Sequence, residues 1–187
     1  MNKKRCPWAI GPLDIEYHDN EWGRETHNDQ MLFEYLILEG MQAGLSWSLI
    51  LKKRENFKRA FDNSDYNICA NYTDEYLESL REDASIIRNK LKIYSVRKNA
   101  LAFVEVQKEF GSFDKYIWKF TNYKKINNKL ESYKDAASES ELSAKISKDL
   151  KKRGFSFVGS TIIYSYMQAI GMINDHEKGC FCYKECC

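Results

Sequence analysis

A pair of soft metal ligands sits at each end of this chain, and the two pairs constrain its fold more than any other feature. Cys6 is followed after eleven residues by His18, and His176 after three residues by Cys180. Two thiolates with two imidazoles are the donor set of a closed, tetrahedral structural zinc site. The i,i+4 spacing of His176 and Cys180 allows a single helical turn to present both to one ion. An ion held by all four would draw the first residues of the chain to the last. The tail supplies a competitor. Cys182 lies two residues beyond Cys180, so the choice between them stays open, and Cys186 and Cys187 follow.

Six cysteines invite a disulfide reading as well. The opening MNKKRCPWAIGPLD has no apolar core of the kind a secretory signal needs. A reducing, cytoplasmic setting is therefore expected, in which Cys/His clusters serve metal binding or catalysis. No apolar stretch reaches membrane-spanning length, so a soluble monomer without a membrane partner is expected. The 187 residues suit one domain, or two small lobes sharing a core. With 29 basic against 27 acidic residues, net charge does not announce a nucleic-acid partner. Basic residues do cluster over 52–59, 88–98 and 148–153, as solvated helix faces or as phosphate contacts.

The periodicity predicts an all-α fold. Helices are expected over 29–39, from Ser46 to Phe61, from Thr73, over 89–110, 114–120, 141–152 and 160–172. The 89–110 pattern puts Leu91, Tyr94, Val96, Ala100, Phe103 and Val104 on its core side. Asp29 and Asp114 are expected as N-caps, and Gly111 and Gly154 as stops. The arm before residue 28, with both prolines, reads as irregular, and 122–140 as a long surface loop. No segment alternates as a strand would.

One segment carries chemistry. Glu39 ends an apolar helix, Gly40 and Gly44 permit close backbone approach, and Trp47 opens the next helix. A carboxylate in apolar, aromatic surroundings is a candidate for a shifted pKa and a functional role. Around it stand YHDNEWG (17–23), LEG-x-QAGLSW (38–47), LKKREN (51–56), KKRGF-x-FVG (151–159) and NDH-x3-C (174–180), in this order. With these motifs the chain resembles the 3-methyladenine DNA glycosylase I family, of the helix-hairpin-helix superfamily, from about residue 6 to 182.

The resemblance implies one 3-methyladenine DNA glycosylase domain over 1–187, in two helical lobes. Zinc-binding termini would span about 1–28 and 172–187, and a helix-hairpin-helix element about 83–92. It implies a structural zinc on Cys6, His18, His176 and Cys180. It places the base-pocket carboxylate on Glu39, the pocket aromatics on Trp8, Tyr17 and Trp47, and Trp22 in the pocket wall. Gly44 and Leu45 match the turn that enters the duplex. The implied activity is hydrolysis of the N-glycosidic bond of 3-methyladenine in double-stranded DNA. Free 3-methyladenine leaves and an abasic site remains, without strand cleavage, and Glu39 is the candidate catalytic group. One family aromatic, about a turn before Tyr17, is absent: Asp14 stands nearest, beside Leu13.

Overall fold

The computed structural model describes residues 3–187. Among the described residues nine α-helices follow in order: α1 Pro12–Asn20, α2 Asp29–Gln42, α3 Trp47–Ala60, α4 Tyr66–Ala70, α5 Asp74–Ser79, α6 Lys90–Phe110, α7 Phe113–Trp118, α8 Glu141–Lys152 and α9 Ser160–Ala169. Most begin by a local rule. Asn28, Ser46, Thr73, Asn89, Ser112 and Ser140 each accept a hydrogen bond from the backbone N–H three residues on. That satisfies one of the donors a helix start leaves unpaired.

Several expectations need correction. The N-terminal arm is not wholly irregular, because Pro12 sits in the first turn of α1, where its missing N–H costs nothing. The cap of α2 is Asn28, one residue before Asp29. The cap of α7 is Ser112, not Asp114. The Asp114 carboxylate instead faces His27 Nδ1 at 2.7 Å, while Asp29 accepts from the backbone N–H groups of Phe113 and Asp114. Leu91 is 71% exposed, and Ile93 and Val106 join Val96, Ala100 and Phe103 in the core. Helix α9 ends at Ala169, and Gly171 then turns the chain with φ +73°. A Cβ at Gly171 would lie 2.2–2.5 Å from the Arg24–Glu25 backbone, so only glycine lets the two segments meet. One short strand pair exists where none was expected: β1 Ile126–Asn127 lies parallel to β2 Ile173–Asn174.

Helix α2 is the hub. It packs against α3, α6, α7 and α9, and nine of its residues are buried, including Leu32, Phe33, Leu36 and Met41. A helix apolar on nearly every side belongs in a core. Phe103 of α6 stacks on Phe113 of α7 at 4.1 Å and meets Phe33 edge-on at 5.1 Å. Burial of such rings is worth roughly 1.5–3 kcal/mol each. The C-terminal tail returns to the N-terminal arm, and Phe181 N–H donates to the Lys4 carbonyl. Among the described residues, no helix is long and apolar enough to cross a membrane.

Candidate active site and metal centre

Tyr17 and His18 are neighbours on α1 and both are buried. Successive helical residues project about 100° apart, and these two serve different sites. Tyr17 lines a cavity of ≈ 180 Å³ together with Trp8, Trp22, Glu39 and Trp47. That exceeds by an order of magnitude the ~10–15 Å³ that holds one water. The rings form a connected wall. Tyr17 lies 5.1 Å from Trp47 and 6.3 Å from Trp8, and Trp8 meets Trp22 edge-on at 5.0 Å.

Sequence reasoning missed four further lining residues: Gln42, Tyr133, Ser165 and Gln168. Three carried a signal. Gln42 falls three residues after Glu39, and Ser165 and Gln168 break the apolar run of α9 three residues apart. Tyr133 had none, because a loop side chain has no periodicity to place it. Asp14 does not line the cavity. It accepts from Ser48 Oγ at 2.8 and 2.9 Å and so fastens α1 to α3.

Three polar atoms of the lining residues are unpaired. Glu39 Oε2, Trp8 Nε1 and Trp47 Nε1 are buried without a protein partner. Leaving such an atom unsatisfied costs about 1–3 kcal/mol, so a site that keeps three of them points to a polar ligand. Burial alone pushes the Glu39 carboxyl up to about 8. At neutral pH the free protein therefore holds Glu39 mostly as the neutral acid, able to ionise when a cation approaches.

The cavity mouth adjoins the Gly44–Leu45 turn. Leu45 is 37% exposed, and Gly44 has φ +77°. A neighbouring depression shares Glu39, Gln42 and Ser165 with the cavity and is completed by Leu45, Thr161 and Ile162. Lys92, at the start of α6, fixes this turn from beneath. Its Nζ donates to the Met41 and Ala43 carbonyls, each at 2.7 Å.

Much of the basic charge is spent inside the protein. Arg54 pairs with Glu21 and Glu34, Lys53 donates to the Ala84 and Ser85 carbonyls, and Arg153 pairs with Glu109 and Asp149. Arg88, Lys98, Lys148, Lys151 and Lys152 enter no ion pair among the described residues, so they remain available to phosphates.

The second site is a buried Cys/His cluster. Ligand atoms of His18, His176, Cys180 and Cys182 all lie within 4.8 Å of one another. Cys6 is outside that set but adjoins it, with its backbone N–H 3.4 Å from His18 Nε2. The proximity of the two thiols holds that of Cys180 below its ordinary range and pushes that of Cys6 up. His176 and Cys180 are not presented by a helical turn. They sit on an irregular turn in which Cys180 N–H bonds the Glu177 carbonyl.

Each imidazole is oriented from outside. His18 Nδ1 lies 2.9 Å from Asp19 Oδ1, and Arg5 holds Asp19 in turn. His176 Nδ1 lies 2.9 Å from Asn174 Oδ1. His176 Nε2 is buried without a partner, and burial lowers this imidazole to about 3, so it stays neutral. Imidazoles oriented by outer oxygens and facing thiols are an arrangement that could hold a metal ion.

The match to known proteins follows both sites. A family model described as methyladenine glycosylase matches residues 8–183. The chain belongs to the methyladenine glycosylase family. The match runs from Trp8 of the cavity to the residue after Cys182, and so covers both centres except for Cys6. The DNA-3-methyladenine glycosylase 1 of Escherichia coli is 43% identical over 181 residues, covering 96% of this chain and 97% of that one. A solved structure of a 3-methyladenine DNA glycosylase I superposes with TM-score 0.94 at 42% identity, covering 96% of this chain and all of that one. The Staphylococcus aureus enzyme, solved to explain its recognition of 3-methyladenine, superposes with TM-score 0.92 at 30% identity, with 95% of each chain covered. The structure shared with these relatives is mainly helical, and in this chain it is joined by the short β1–β2 pair.

Proposed function

We infer that this protein is a DNA-3-methyladenine glycosylase, a base-excision repair hydrolase acting on alkylated duplex DNA. The observation that carries the reading is the group of three unpaired buried atoms, Glu39 Oε2, Trp8 Nε1 and Trp47 Nε1, inside a ring-walled cavity beside an exposed leucine.

A base inside the stack is out of reach of such a cavity, so the nucleotide must rotate out of the duplex. Leu45 enters the gap, as apolar wedge residues do. The stretch over about 83–92, from the turn after α5 into the first residues of α6, is the proposed helix-hairpin-helix element, and the unpaired lysines and arginines hold phosphates. In this reading 1–187 acts as one domain whose two helical lobes meet at the cavity. Alkylated adenine is cationic, and each well-placed ring favours it over the neutral base by roughly 0.5–2 kcal/mol. Glu39 accepts from the exocyclic amine edge and ionises against the positive base, which makes it a recognition residue first.

The cationic base leaves readily, so strong acid catalysis is not required. Water adds to the sugar carbon as the N-glycosidic bond breaks, through an oxocarbenium-like state that an ionised Glu39 opposes in charge. No lysine lines the cavity. Without an amine to form a Schiff base with the sugar, the reaction ends at the abasic site.

The Cys/His cluster fits one structural zinc per chain. His18, His176 and Cys180 supply three ligands. Cys6 is the proposed fourth, because it is fully buried beside the cluster, with its backbone N–H 3.4 Å from His18 Nε2, and its thiol is pushed up as that of Cys180 is held down; Cys182, whose ligand atom lies within 4.8 Å of the other three, is the competitor. Four protein ligands leave no open position, so zinc would tie the chain ends without acting on the substrate.

The test is release of free 3-methyladenine from methylated DNA by wild type, Glu39→Gln and Trp47→Ala. Loss in both variants supports the pocket; equal release by all three removes it.

A further inference from the structure

We propose that Tyr133 is a base-binding residue, delivered by the loop between α7 and α8 as a further wall of the purine pocket. The proposal rests on the reading of the cavity given above.

Tyr133 lies in a stretch, 122–140, that reads as surface loop, yet its position is built. β1 pairs with β2, and Asn128 N–H donates to the Asn174 carbonyl at 3.2 Å. Asn128 Nδ2 donates to Asp175 Oδ1 at 2.6 Å, and Lys178 N–H to the Leu130 carbonyl at 2.9 Å. Tyr133 N–H itself donates to Glu177 Oε1 at 2.8 Å. Every one of these partners lies within 173–178, the segment that carries His176. Glu177 is buried, so the last anchor is shielded from water and correspondingly strong.

Held this way, the ring meets Trp22 edge-on at 6.2 Å and lines the cavity with Glu39, Ser165 and Gln168. Trp22 continues edge-on to Trp8, so Tyr133 extends one connected row of rings. Its phenol is pushed up to about 12, by burial first and then by the Asp175 charge, and so stays protonated at neutral pH. The side chain therefore offers a π-face and a neutral hydroxyl. It adds no charge to compete with Glu39.

The residue should discriminate by charge. A ring beside a cationic purine strengthens its binding about 3- to 30-fold, and a neutral purine gains less. Binding of the 3,9-dimethyladeninium cation, which keeps the charge that the base carries on its sugar, and of neutral 9-methyladenine is measured for the full chain, Tyr133→Phe and Tyr133→Leu. The expected result is a 3- to 30-fold loss of affinity for the cation in Tyr133→Leu, a smaller loss for 9-methyladenine, and a change within about twofold in Tyr133→Phe. Wild-type affinity in a folded Tyr133→Leu overturns the proposal, as does an equal loss in the Phe and Leu variants. If Tyr133→Leu does not fold, the Tyr133 ring resonance of wild type, assigned by its disappearance in Tyr133→Phe, must shift when the cation is added; a fixed resonance overturns the proposal. A wild-type protein that does not bind the cation refutes instead the functional reading beneath it.

Discussion

The side-chain oxygen of Asn174 lies 2.9 Å from Nδ1 of His176, and this contact turns the opposite ring nitrogen, Nε2, toward the thiols of the Cys/His cluster. An outer oxygen of this kind fixes the tautomer of a metal-binding histidine. Asn174→Ala is expected to weaken zinc binding about 10- to 100-fold while leaving all four ligands in place. Competition with a chelator of known affinity reads the change; an unaltered affinity would mean that Asn174 orients nothing.

Ligand identity is tested by metal content. Cys6→Ser and Cys180→Ser are each expected to lose zinc and thermal stability together, since a structural metal contributes directly to folding. Cys182→Ser is expected to keep one zinc per chain. The opposite pattern, with zinc lost from Cys182→Ser and kept in Cys6→Ser, would reassign the fourth ligand to the thiol that the ligand-atom distances group with the histidines.

Glu39 gives the protein a pH-dependent stability. Its carboxyl, held up to about 8 by burial, keeps a proton that the unfolded chain releases above about 4.5. A group whose folded pKa is raised stabilises fully below the unfolded value and less as pH rises through the folded one, at up to about 1.4 kcal/mol per pH unit. Wild type should therefore lose stability between pH 5 and 8 relative to Glu39→Gln, which carries no proton to lose. Thermal melts of the pair across that range check this, and a difference that does not vary with pH would sink it.

Lys92 should matter out of proportion to its place on a helix start. Replacing it by Met leaves the Met41 and Ala43 carbonyls without their donor. Each such loss costs about 1–3 kcal/mol, or several degrees of Tm for a chain of this size. Because the same carbonyls shape the turn before Leu45, base release from DNA should fall more than binding of free 3-methyladenine. Equal losses in both assays would point to general destabilisation.

Leu45→Ala separates flipping from recognition. Leu45 is exposed at the mouth and does not line the base cavity. Release of 3-methyladenine from duplex DNA is expected to drop roughly tenfold or more, given the few kcal/mol that unstacking costs. Affinity for the free base should not change. A loss of free-base binding would place Leu45 in the pocket rather than at the gap.

Local order was legible wherever a contact spans three or four residues. The caps at Ser46, Thr73 and Asn89 and the burial of Leu32, Leu36 and Phe103 follow from neighbours in the chain. Leu91 was misread because α6 is flanked on more than one side, so two overlapping apolar stripes fit its sequence and only packing chose between them. The pocket was half visible. Tyr17, Glu39 and Trp47 lie in recognisable motifs, whereas Tyr133 reaches the cavity through hydrogen bonds to a segment some forty residues away.

The sequence by itself determined the helical character, many of the helix starts and the kinds of metal donor at the two ends, because residue type and short-range hydrogen bonding settle these. The tertiary structure alone decided which lysines and arginines remain free, which thiol stands nearest each imidazole and which loop closes the pocket. Those depend on distances between segments far apart in the chain, and such distances are fixed only when α2 has been packed on all sides.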